Sequence, residues 1–271
     1  MDNVKNFIFA SEDDVKSNAR IKYMMDDNGE FQPYELCVFD RAVFKDSEWE
    51  LADFYAGKKK SPADDVKLTP SAEREAENRR KSFCRARNKL FDLLYGTPQF
   101  DTFITLTFDS KKIDRYDYNA IVDKIGVWLD NRVRRKGLVY GLVPEYHKDG
   151  AVHFHGLMNS SALDLKRSVN PYTGEQMCDD EGRPIYNIAD FPLGFTTAIV
   201  ITGENSRTAT AKYCYKYITK SGGKKVGGRY YLSGGDLGRP RYEYVYADFE
   251  NIDAKTIVIE QASLKLKKVK L

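Results

Sequence analysis

The chain has 271 residues, of which 42 % are hydrophobic and 31 % charged, with a net charge of +3. That balance fits a soluble globular protein with a real core and excludes a uniformly polycationic nucleic-acid coat. No apolar run approaches the ~20 residues needed to cross a bilayer, so no membrane partner is expected.

Four cysteines (Cys37, Cys84, Cys178, Cys214) lie far apart with no CxxC pair. Neither a zinc knuckle nor a disulfide framework is indicated, which suits a reducing cytoplasm. A secretory leader is not expected, because Asp2, Lys5, Glu12 and Asp13 surround a very short apolar run. The segment 57–61 lacks the first glycine of a phosphate-binding GxxxxGK[ST] loop, so no NTP-driven motor is read here.

In chain order, short strands are predicted at 35–39 and 42–44. Thr69-Pro70-Ser71 opens a helix over 71–95, with Phe83, Ala86, Leu90 and Leu94 as its apolar stripe and Gly96 as its stop. The β-branched and aromatic run 103–108 reads as a central strand. A second helix is predicted over 116–136, burying Ile121, Ile125, Trp128 and Leu129, with a basic last turn before Gly137. Residues 138–158 read as a hairpin turning at Lys148-Asp149-Gly150. A polar, turn-rich insertion spans 159–194, followed by a strand at 195–202, a helix at 206–220 and strands at 229–232 and 242–246. Basic residues cluster at 58–60, 79–89, 132–136 and 265–270, a pattern that tracks a phosphate backbone or equally lines solvated faces.

All three histidines fall within nine residues: His147, His153 and His155. At i and i+2 on a strand, His153 and His155 project from one sheet face. A three-residue loop at 148–150 places Gly150 in the left-handed position and sets Glu145 opposite His153. A two-residue loop would instead pair Tyr146 with His153 and turn Glu145 away. In the first register, Glu145, His153 and His155 reach one ion, with His147 as alternative third ligand or as a neighbour of the ligands. Two imidazoles and a carboxylate suit Mn²⁺ or Mg²⁺ acting on phosphate oxygens; the same donors also suit zinc hydrolysis.

On the helix 206–220, Ala211, Cys214, Tyr215 and Ile218 form the core stripe, which assigns Tyr215 to packing. Tyr213 and Tyr217 sit four apart on another face, and each is followed three residues later by a lysine, Lys216 and Lys220. A free phenol has a pKa of about 10, so a nearby ammonium would favour the nucleophilic phenolate. Two phenols within one turn would allow two successive transesterifications.

Three segments in this order resemble the motifs of the HUH replication initiators: Phe103-Ile-Thr-Leu-Thr-Phe108, then 143–157 around His153-Phe154-His155, then Lys212-Tyr-Cys-Tyr-Lys-Tyr-Ile-Thr-Lys220. The chain is similar over roughly 75–246 to the rolling-circle initiators of single-stranded DNA phages, of microvirus and filamentous-phage type. The resemblance implies an α+β HUH endonuclease fold, with a central five-stranded antiparallel sheet of RNA-recognition-motif-related topology flanked by helices. It implies that Tyr213 or Tyr217 attacks the scissile phosphate of a single-stranded origin, leaving a 5′-phosphotyrosine and a free 3′-hydroxyl. A host helicase and DNA polymerase in a bacterial cytoplasm are the expected partners. The expected domains are an N-terminal extension (1–68), the endonuclease domain (69–250, with the insertion 159–194) and a basic C-terminal tail (251–271). Arg79, Arg80, Arg229, Tyr230, Tyr231 and Arg239 are the expected DNA-binding residues. A mobilisation relaxase and a non-catalytic single-stranded nucleic-acid binder are the competing readings.

Overall fold

In the computed structural model, helix α1 (Ala72–Tyr95) and helix α2 (Tyr118–Lys136) fall where the apolar spacing predicts them. The structure describes residues 8–9, 17–43, 72–201, 216, 226–259 and 264–271. Asp117 caps α2 by accepting from the backbone N–H groups of Asn119 and Ala120. Gly137, at φ 65°, closes it with its own N–H on the carbonyls of Arg132 and Val133. Such caps contribute about 1 kcal/mol. Ile121, Ile125, Trp128 and Leu129 are all buried, at about 1.5–3 kcal/mol each. Packing therefore outweighs capping in holding the helix.

The strands are β1 (Ile8–Phe9), β2 (Ala19–Met25), β3 (Phe31–Phe39), β4 (Thr102–Phe108), β5 (Tyr140–Tyr146) and β6 (Val152–Met158), followed by β7 (Leu165–Arg167) and β8 (Tyr186–Ile188). Then come β9 (Gly194–Val200), β10 (Leu232–Gly234), β11 (Arg241–Ala247), β12 (Thr256–Ile259) and β13 (Leu264–Lys270). They form two antiparallel sheets in two units of the chain, so the described fold is α+β.

The unit Ser71–Arg239 holds a seven-stranded sheet in the order β10-β5-β6-β4-β9-β8-β7. One face carries Leu106, Phe108, Leu142 and Phe154 against the apolar stripe of α2. The other carries Phe103, Val143 and Leu157 against Leu90 and Leu94 of α1. The expected five strands become seven because the insertion is not a detached loop. Its β7 and β8 pair with each other, and β8 joins the sheet edge through Tyr186 opposite Ala198. Arg132 anchors the start of that insertion: its guanidinium donates to the Ala162 carbonyl and pairs with Asp164 and Asp190.

The other unit, Met1–Pro70 with Pro240–Leu271, holds a six-stranded sheet in the order β1-β11-β2-β3-β13-β12. This differs from the expected division. β11, read as part of the endonuclease domain, pairs with β2, and the residues read as a basic tail form β12 and β13. The lysines of β13 alternate with Leu266 and Val269, so the segment has a core-facing side that charge counting hides. Ala42 and Val43 form no strand, and the strand predicted at 229–232 begins instead at Leu232. Most of the predicted helix 206–220 lies outside the described residues, apart from Lys216, which is helical.

Candidate metal centre

The β5–β6 hairpin closes on the three-residue loop. Gly150 N–H donates to the His147 carbonyl at 2.9 Å, and His147 N–H donates to the Ala151 carbonyl at 2.8 Å. Gly150 has φ 87°, the left-handed conformation that this bulged turn requires and that glycine adopts without strain. The Asp149 carboxylate accepts from the Ala151 N–H at 3.0 Å, reinforcing the turn. With the loop so set, Glu145 lies opposite His153 and Val143 opposite His155. A shift of one residue would turn Glu145 to the other face.

Glu145, His153 and His155 accordingly share a face, with one ligand atom from each lying within 4.8 Å of the others. His155 Nε2 is 3.4 Å from a Glu145 carboxylate oxygen, and both side chains are largely buried. The opposite ring nitrogen, Nδ1, lies 3.1 Å from the Thr105 hydroxyl on β4. That contact orients the ring and leaves Nε2 toward the carboxylate, as ligating histidines require of their neighbours. His153 packs edge-on against His155, with ring centroids 4.8 Å apart. Two imidazoles and a carboxylate converging this closely fit a divalent cation, since a cation among them takes up ring lone pairs and carboxylate charge together.

His147 stands outside that group. Its Nδ1 lies 3.2 Å from Asp149, and it is well exposed. Asp149 also pairs with Arg115 at 3.2 Å. The Ala151 N–H, with Arg115 and His147 adding to it, holds the Asp149 carboxyl below its ordinary range. Thr107, Arg115, His147, Asp149 and His153 line a shallow pocket beside the centre.

Of the expected nucleophiles and their partners, Tyr213, Tyr217 and Lys220 lie outside the described residues, while Lys216 is exposed. Arg229 and Arg239 are exposed; Tyr230 and Tyr231 are half-buried against the α1 side of the core, with Tyr230 5.6 Å from the Phe83 ring. Burial pushes the Tyr231 phenol up. Arg79 and Arg80 are exposed on α1, with Arg79 3.7 Å from Glu75. The motif reading did not single out Thr105. The signal for it was present: Thr105 and Thr107 are the polar alternates of an otherwise apolar strand, which marks a face with work other than packing.

No curated protein and no solved structure matches this chain. Residues 101–222 match the family model of the replication-associated protein ORF2, a stretch that takes in β4, the whole histidine hairpin and the Tyr-x-x-Lys segment. Over that stretch the chain has the character of a replication-associated protein, consistent with a rolling-circle replication initiator.

Proposed function

We propose that this protein is an HUH-type single-strand DNA endonuclease that nicks and rejoins a replication origin to start and end rolling-circle replication. The observation that carries the reading is the convergence of Glu145, His153 and His155 on one sheet face, inside the stretch that matches the replication-associated family. A bound Mn²⁺ or Mg²⁺ would polarise the scissile phosphate and offset charge developing on its oxygens. Glu145, His153 and His155 would hold that ion, with Thr105 keeping the His155 ring in place.

The nucleophile is assigned to Tyr213 or Tyr217. Its phenolate oxygen forms a bond to the scissile phosphorus, and the bond from phosphorus to the 3′ oxygen breaks. The 3′ oxygen leaves as a hydroxyl after taking up a proton, and the 5′ phosphate stays on the tyrosine. Phosphodiester energy is retained, so the same step run backwards joins ends, and a second tyrosine allows a second cleavage. Lys216 and Lys220 supply ammonium groups that favour the phenolate and the negative phosphoryl group. Arg79, Arg80, Arg229 and Arg239 would track the single strand by charge. A host helicase would open the duplex, and a host polymerase would extend the 3′-hydroxyl.

The test is incubation of labelled single-stranded origin DNA with the protein and Mn²⁺. A protein–DNA band that survives denaturant is expected, and chelation or the double variant Tyr213→Phe/Tyr217→Phe should abolish it. Persistence of the band in the double variant would remove both tyrosines from the mechanism.

A further inference from the structure

On the face of β4 that carries the metal centre, the register sets up a row across four strands. Glu145 of β5 faces His153 of β6, His153 faces Thr107 of β4, and Thr107 faces Phe195 of β9. Paired residues in antiparallel strands project to the same side, so Phe195 lies on the metal face, two strand spacings or roughly 10 Å from His153. Phe195 is 70 % exposed. Its companions further along β9 on this face differ. Thr197 is exposed as well, whereas Ile199 packs into the cluster under α1. The face thus divides into an apolar end covered by α1 and an open end holding the candidate ligands, Thr107, Thr197 and one bare aromatic ring.

A single exposed phenylalanine on a protein surface needs no explanation. This one is distinguished by its row. A phosphate held at Glu145, His153 and His155 would bring the adjoining nucleotides across this same open face. A planar apolar ring flanked by threonines is a surface on which a base stacks without regard to its identity.

We propose that Phe195 is the stacking platform for a nucleobase flanking the phosphate held at the metal centre; this rests on the nickase reading. The occupant is a single-stranded DNA base, engaged through its π-face, with Thr107 and Thr197 alongside as hydroxyl partners. The contact positions the strand and takes no part in bond making.

The test uses the full chain in EDTA, so that no cleavage intervenes, with fluorescein-labelled oligothymidylate of about 20 nucleotides as the probe and fluorescence anisotropy as the readout. Stacking of one base predicts that Phe195→Ala weakens binding roughly 5- to 150-fold. Phe195→Trp should bind at least as tightly as the parent, and its added indole emission should be quenched by the oligonucleotide. Phe195→Leu keeps the apolar bulk but removes the π-face, so it should behave like the alanine variant. An affinity for Phe195→Leu equal to the parent's overturns the proposal, as does unquenched emission in a Phe195→Trp variant that binds normally. The two readings fail separately. Loss of the covalent adduct in the parent with a Phe195 effect intact removes the nickase chemistry alone, and an adduct with no Phe195 effect removes the platform alone.

Discussion

At the scale of single residues, the centre depends on a hydroxyl as much as on its ligands. Thr105 holds Nδ1 of His155 from the neighbouring strand, fifty positions away in the chain. Thr105→Val keeps the shape and the β-branched preference of the strand but removes the partner of that nitrogen. Mn²⁺ affinity measured by calorimetry should fall roughly 10- to 100-fold, the usual effect of losing a group that orients a ligand. Thermal stability should change little, and Glu145→Ala should lower the affinity further than Thr105→Val. The histidines were legible because all three crowd into one short stretch. Thr105 was not, because sequence spacing says nothing about which residue a strand meets across the sheet.

At the scale of elements, the hairpin loop sets the register on which the site depends. Gly150 holds φ 87°, and a methyl group there would meet nothing closer than the Tyr116 ring at 3.9 Å. The penalty of Gly150→Ala is therefore backbone strain alone, about 1–2 kcal/mol. It should appear as a lower urea midpoint with an unchanged slope. Any added loss of Mn²⁺ affinity would report slippage of Glu145 away from His153. Both helices could be read from periodicity, since an apolar stripe at helical spacing has one way to be buried. Arg132 could not. It sits on the buried stripe of α2 beside Trp128, and its charge is met by a carbonyl and two aspartates from beyond β6. Only the folded insertion supplies those partners.

At the scale of the whole molecule, the two sheets draw differently on the chain. Every candidate metal ligand, and Thr105, lies within Ser71–Arg239. That segment expressed alone should fold, with far-UV circular dichroism showing helix and sheet, and should bind Mn²⁺ as the full chain does. The other sheet joins both ends of the chain. Asn18 donates to the carbonyls of Phe39 and Ala247 and accepts from the Ala247 N–H. The Tyr23 hydroxyl of β2 donates to Glu243 of β11. Burial first, and then that carboxylate, push the Tyr23 phenol from its ordinary 10.0 up to about 12. The folded state thus holds a proton that the unfolded chain releases earlier. The stability this contributes is full below about pH 10 and lost as the pH rises toward 12. Urea midpoints across that window should fall less steeply in Tyr23→Phe than in the parent.

The sequence by itself determined the two helices, the hairpin and the residues able to bind a cation, because periodicity, turn chemistry and ligand type are local properties. It also carried the order of motifs from which replication chemistry was read. The tertiary structure decided the rest. It placed β11 to β13 with the N-terminal strands, because pairing between distant segments leaves no local trace. It made seven strands of an expected five by docking the insertion on β9. It also aligned Thr105 and Phe195 with the histidine face, because cross-strand neighbours are set by register, which exists only once the sheet is assembled.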